Sequence, residues 1–124
     1  RSMDASEREF RDGPMSRIHL ASEVVGRMEE RAKTIVAGLP ARHVYLTVDL
    51  DGLDPAVVPA VGTPVPGGLD WSETLILLRR LAQERILVGA DVVELSPRQD
   101  LHWADAAAAR LASKIVALWS LSRS

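Results

Sequence analysis

Apolar and polar positions follow two different periods along this chain. From Val24 to Val36 the apolar residues Val24, Val25, Met28, Ala32, Ile35 and Val36 recur at helical spacing. Ser22 can cap that run, and Gly38 with Pro40 closes it, so a helix is predicted over about 22–37. Asp70 and Glu73 have the spacing of a capping box, ahead of Leu75, Leu78, Leu81 and Ala82 on one helical face. From Ala104 an alanine-rich segment places Leu111, Ile115 and Leu118 along one face, predicting a helix to about Leu118. A short first helix is expected after Asp4, with Glu7 completing a capping box and Gly13-Pro14 ending it.

Between these lie runs of the other kind. His43 to Leu50 and Arg85 to Leu95 are nearly all apolar and rich in β-branched residues, as suits strands buried on both faces of a parallel sheet. Arg17 to Ala21 reads as a third, shorter strand. Strands alternating with helices predict βαβ units, a parallel sheet and helices on its faces. Three parallel strands protect neither two apolar faces nor two open edges. Part of the sheet is therefore expected from elsewhere.

Composition narrows the classes. With 124 residues, 47% hydrophobic and 26% charged, the chain fits one ordinary globular domain. The net charge of −2 is spread without a basic stripe, which argues against a nucleic-acid surface. The absence of cysteine excludes disulfides and thiolate metal sites and points to the cytoplasm. No apolar run approaches the roughly 20 residues of a membrane span. The chain opens Arg-Ser-Met rather than on an initiator methionine, so it is expected to begin inside a longer protein.

The candidate chemistry sits at the two strand ends. In Thr47-Val-Asp-Leu-Asp51, Asp49 and Asp51 are two residues apart and project together from a strand's carboxyl end, where open α/β sheets bind ligands. Paired carboxylates repel unless a proton or cation is shared, and hard oxygen donors suit Mg, Ca or Mn. The alternative is a pair of aspartates capping loop amides. A loop stiffened by Pro55, Pro59, Pro64 and Pro66 follows, holding Thr63 between Gly62 and Pro64. The second strand ends Asp91-Val-Val-Glu94-Leu-Ser-Pro97. Glu94 can bind a planar guanidinium in bidentate fashion and Asp91 can orient a neighbour. Internal salt bridges to the chain's own arginines are the competing reading.

These segments resemble the ureohydrolases, the family of agmatinases and arginases. The resemblance is carried by Thr47-Val-Asp49-Leu-Asp51-Gly-Leu-Asp54-Pro55, by Gly62-Thr63-Pro64 and by Asp91-Val-Val-Glu94-Leu-Ser-Pro97, in that order, with Arg1-Ser2 similar to an agmatinase segment. It implies a three-layer α-β-α fold with a parallel sheet, of which residues 1–124 are the carboxyl-terminal portion. It implies manganese-dependent hydrolysis of a guanidino compound, agmatine before arginine, releasing urea, with a role in polyamine biosynthesis. Asp49 and Asp51 match ligands of a binuclear manganese centre that activates water for attack on the guanidinium carbon. Thr63 and Glu94 match substrate-binding residues, and Asp54 and Asp91 are expected to support them.

The family's two histidine-bearing ligand segments have no counterpart here. The histidines are His19, His43 and His102. His19 and His43 are expected at strand starts, opposite Asp49, and Asp100 to Asp105 is expected to be a loop leading into a helix. No certain catalytic residue is thus expected in this chain alone, and its partners should be a guanidino substrate, the missing amino-terminal half and, through oligomerisation, copies of itself. Neither nucleic acid nor membrane is expected. Two other readings remain open: a non-catalytic remnant serving assembly or regulation, and a one-metal protein using Asp49 and Asp51 with water.

Overall fold

The computed structural model describes residues 5–11 and 17–123. The helices are α1 (Ala5–Arg11), α2 (Ala21–Val24), α3 (Met28–Ala37), α4 (Trp71–Glu84) and α5 (His102–Leu121). Strands β1 (His43–Asp49) and β2 (Ile86–Val93) pair in parallel, with α4 as the crossover between them. No helix among the described residues is long and apolar enough to cross a membrane.

The start of α4 forms as its sequence requires. Asp70 Oδ1 accepts from the Glu73 amide at 2.7 Å, and Glu73 Oε2 accepts from the Asp70 amide at 3.1 Å. Two donors left without helical partners are thereby satisfied. Glu73 is itself buried, and its other oxygen accepts from the Gly26 amide. One carboxylate thus joins the crossover helix to the turn between α2 and α3.

Two expectations fail near the amino terminus. The helix predicted over 22–37 is broken, because Gly26 adopts φ 76° and separates α2 from α3. Its apolar spacing looked continuous only because the break is short. Arg17 to Leu20 forms no strand. Instead the Leu20 amide donates to Glu23 Oε2 at 3.1 Å and leads into α2. The sheet therefore has two strands, not three, among the described residues. Helix α1 forms where a first helix was expected, but Asp4 and Gly13-Pro14 lie outside the described residues.

The strands are also not buried on both faces. Val44, Leu46 and Val48 turn toward apolar clusters built with Val36, Leu78, Leu81, Leu111 and Ile115, so α3, α4 and α5 all pack on that side. Tyr45 on the other side is 61% exposed, and Val88 of β2 is 49% exposed. A bulge between Val44 and Tyr45 sets Tyr45 opposite Gly89. A Cβ at Gly89 would lie 2.7 Å from the Tyr45 ring, so the ring lies across a glycine that leaves it room.

Candidate active site

Both strands deliver acids to the same end of the sheet. Asp49 ends β1, and the chain turns there through a single 3-10 turn, Leu50–Gly52. Asp49 Oδ1 caps this turn by accepting from the Asp51 amide at 3.0 Å. Asp51 Oδ2 in turn accepts from the Thr63 hydroxyl. Asp49, Asp51 and Thr63 are therefore connected in one chain of hydrogen bonds.

The loop that carries Thr63 is held by backbone and by Asp54. Asp54 accepts from the Ala56 amide at 2.9 Å through Oδ1 and from the Gly67 amide at 2.8 Å through Oδ2. Leu53 and Leu69 bridge in parallel, with the Asp54 amide donating to the Leu69 carbonyl at 2.9 Å and the Leu69 amide to that of Gly52 at 3.2 Å. Such close approach requires glycine at 68, where a Cβ would fall 2.5 Å from the Leu53 carbonyl carbon. Backbone atoms cannot swing aside as a side chain can, so the closure depends on that residue.

The far end of the same loop meets the end of β2. Val61 and Leu95 form an antiparallel bridge, and the Ser96 amide donates to the Ala60 carbonyl at 2.8 Å. This brings Glu94 beside the Gly62-Thr63 segment, with Glu94 Oε2 3.8 Å from where a Cβ on Gly62 would stand. Glu94 has φ 65°, the one non-glycine residue with positive φ among the described residues. A left-handed backbone at a β-carbon residue costs on the order of 1 kcal/mol or more and is characteristic of functional positions. Among the described residues, neither Glu94 nor Asp91 makes an ion pair with an arginine.

Asp91 stands on the exposed face. Its Oδ2 accepts from the Tyr45 hydroxyl at 3.1 Å, while its buried Oδ1 has no hydrogen-bond partner. That hydrogen bond, with the charge of Asp91 behind it, raises the Tyr45 phenol above its ordinary value of 10.0. The Tyr45–Asp91 pair was not foreseen. The bulge that sets Tyr45 over Gly89 leaves no trace in the hydrophobic pattern.

The histidines are placed less simply than expected. His43 does open β1, at the end opposite Asp49. His19, however, lines a 530 Å³ cleft together with Asp51, Met28, Gly68, Leu69 and Leu77. The absence of the predicted strand frees His19 from a strand start. His102 begins α5, and Asp100 before it pairs with Arg98 at 2.9 Å, which holds its carboxyl below the usual range. A 610 Å³ groove lies between α4 and α5, where Trp71, Trp103 and Arg110 line it, and it contains none of the strand-end acids.

Manganese fits the donors in kind but not in number. Asp49 and Asp51 offer hard carboxylate oxygens, which suit Mn. Among the described residues no group of three His, Cys, Asp or Glu side chains gathers to hold an ion. Further ligands would have to come from outside them or from water.

The carboxylates and the threonine-bearing loop thus lie at the carboxyl end of a parallel α/β sheet, the position at which open sheets bind their ligands. Residues 1–118 match the model of the arginase family, and the chain belongs to that family. It is 41% identical over 88 residues to an N(1)-aminopropylagmatine ureohydrolase of Synechocystis, a match covering 71% of this chain and 29% of that protein. Proclavaminate amidino hydrolase from Streptomyces clavuligerus superposes with a TM-score of 0.82 at 30% identity, covering 98% of this chain and 40% of the other. Arginase from Bacillus caldovelox superposes at 0.76 with 35% identity, covering 93% and 40%. The arginase-like α/β fold is thus present as a portion of that domain, and the chain spans less than a third of the curated relative's length.

Proposed function

We propose that this chain carries the carboxyl-terminal part of a manganese-dependent ureohydrolase site, acting on a guanidino compound with release of urea. The hydrogen-bonded series Asp49, Asp51, Thr63, with Glu94 folded against the same loop, carries this reading. Aspartates that merely cap a turn would not need a threonine hydroxyl and an acid from a second strand beside them.

In this reading Asp49 and Asp51 hold manganese, which when bound supplies the Lewis acidity that makes water a nucleophile near neutral pH. Thr63 orients Asp51 through its hydroxyl and lines the substrate site. Glu94 holds the guanidinium, whose planar array of donors matches a carboxylate in bidentate fashion. Asp54 keeps the loop closed, and Asp91 orients a neighbour, Tyr45. Agmatine is the favoured substrate. The relative named for N(1)-aminopropylagmatine points the same way, to a guanidinium on an amine chain without a carboxylate.

The two aspartates leave coordination to be completed by ligands beyond the described residues, so the isolated chain is expected to release no urea from agmatine with added manganese. Restored to an intact domain, by placing it in the Synechocystis relative instead of the matched region, it should release urea, and Asp49→Ala should abolish that. Turnover that survives Asp49→Ala would overturn the assignment.

A further inference from the structure

The groove between α4 and α5 takes no part in the strand-end site. Its 610 Å³ are walled by Trp71 and Leu75 of α4, by Trp103 of α5 and by Val57 of the loop, with Arg110 and Lys114 completing the α5 side. Two of the chain's three tryptophans thus share one groove, in a chain with a single tyrosine and a single phenylalanine. Ala106 and Ala107 of α5 also line it, and their side chains are too small to fill it. Trp103 is 48% exposed, so much of its indole has no protein partner.

Charge is uneven here as well. No acid lines the groove. Arg110 and Lys114 stand one helical turn apart, a spacing at which like charges repel. Among the described residues neither makes an ion pair. The cation–ring contact of the described residues is Arg123 over Trp119 at 5.0 Å, outside this groove, so its indoles and cations are not engaged with each other. An anion would relieve the repulsion, and a flat ring would cover the indoles.

We propose that this groove is a second ligand site, taking a small aromatic carboxylate. The ring lies against the indoles of Trp71 and Trp103, and the carboxylate meets Arg110, whose fork of donors matches it, with Lys114 adding charge. The volume falls within the range of about 300–1,000 Å³ usual for small-molecule sites. A phosphate fits less well, because the lining has no glycine, serine or threonine to offer a backbone nest or a hydroxyl. The proposal stands independently of the ureohydrolase reading, since the groove shares no residue with Asp49, Asp51, Thr63 or Glu94.

The test is a titration of the nitrogen-15-labelled chain with 2-naphthoate, followed by NMR at the three indole N–H signals. Single Trp→Phe variants assign those signals. Trp71 and Trp103 should shift saturably, while Trp119, which lies elsewhere on α5, should not. The double variant Arg110→Gln, Lys114→Gln should bind at least tenfold more weakly with an otherwise unchanged spectrum, since both side chains are exposed. 2-Naphthamide keeps the ring without the charge, and cyclohexanecarboxylate keeps the charge without the flat ring. Each should also bind at least tenfold more weakly. Absence of shifts, equal shifts at Trp119, or undiminished binding by the double variant or by either analogue would overturn the proposal. Tighter binding of adenosine monophosphate would overturn it in favour of a phosphate ligand. The polypeptide joined to the Synechocystis relative should bind 2-naphthoate within about threefold of the chain alone. Loss of binding there would show the groove covered in an intact domain, and would overturn the proposal too.

Discussion

The two faces of one small sheet differ in almost every respect. On one, Val44, Leu46 and Val48 lie under three helices and meet fully buried residues such as Leu111. On the other, Tyr45, Thr47 and Asp49 are exposed, and the main interaction is a hydrogen bond from Tyr45 to Asp91. The covered face supplies what stability this chain has. The bare face and the strand ends carry the exposed acids and exposed apolar side chains. The same strand thus serves both ends by alternation alone, since neighbouring residues point to opposite sides.

That division can be broken in several places. Leu111→Ala removes a side chain with no exposure and should cost about 2–5 kcal/mol in chemical denaturation. Val116→Ala, on the same helix but exposed, should stay within about 0.5 kcal/mol. Equal effects would erase the distinction between the buried and the exposed side of α5. Gly68→Ala places a Cβ against immovable backbone at the strand ends and should cost about 1–3 kcal/mol. It should also loosen the loop, seen as faster exchange of the Gly67 amide that Asp54 now holds. Asp70→Ala removes the cap of α4 and should cost about 1 kcal/mol by thermal unfolding.

The smallest effect belongs to the bare face. Tyr45 is the chain's one tyrosine, so an ultraviolet titration reports it alone. Asp91→Asn should lower its ionisation from the raised value toward 10.0 with little change in stability at neutral pH. The sign follows from linkage. A phenol held above its ordinary value contributes stability below pH 10.0, and that contribution disappears as pH rises through the raised value. A large loss of stability at neutral pH would show that the bare face does more structural work than its exposure suggests.

Much of this was legible in the sequence, and the failures share a cause. Helix α4 was readable to its cap because Asp70 and Glu73 satisfy local donors, and local chemistry is written locally. Period-two spacing does not explain how Asp49 and Asp51 come together, because β1 ends at Asp49 and Asp51 lies in the 3-10 turn, where hydrogen bonds link it to Asp49 and Thr63. The strand at Arg17 was misread because alternation does not supply a partner edge. The break at Gly26 was missed because apolar residues on both sides kept helical spacing across it. Burial of β1 on both faces was inferred from composition, and composition does not say whether a second layer is present. The placement of His19 and the Tyr45–Asp91 pair depended on tertiary register, which no local pattern encodes.

Glu94 adds a consequence of its own. Its backbone sits where glycine would be at ease, so the chain would gain stability by giving up the carboxylate. Position 94 is therefore where engineering for backbone ease and engineering to keep the carboxylate would pull in opposite directions.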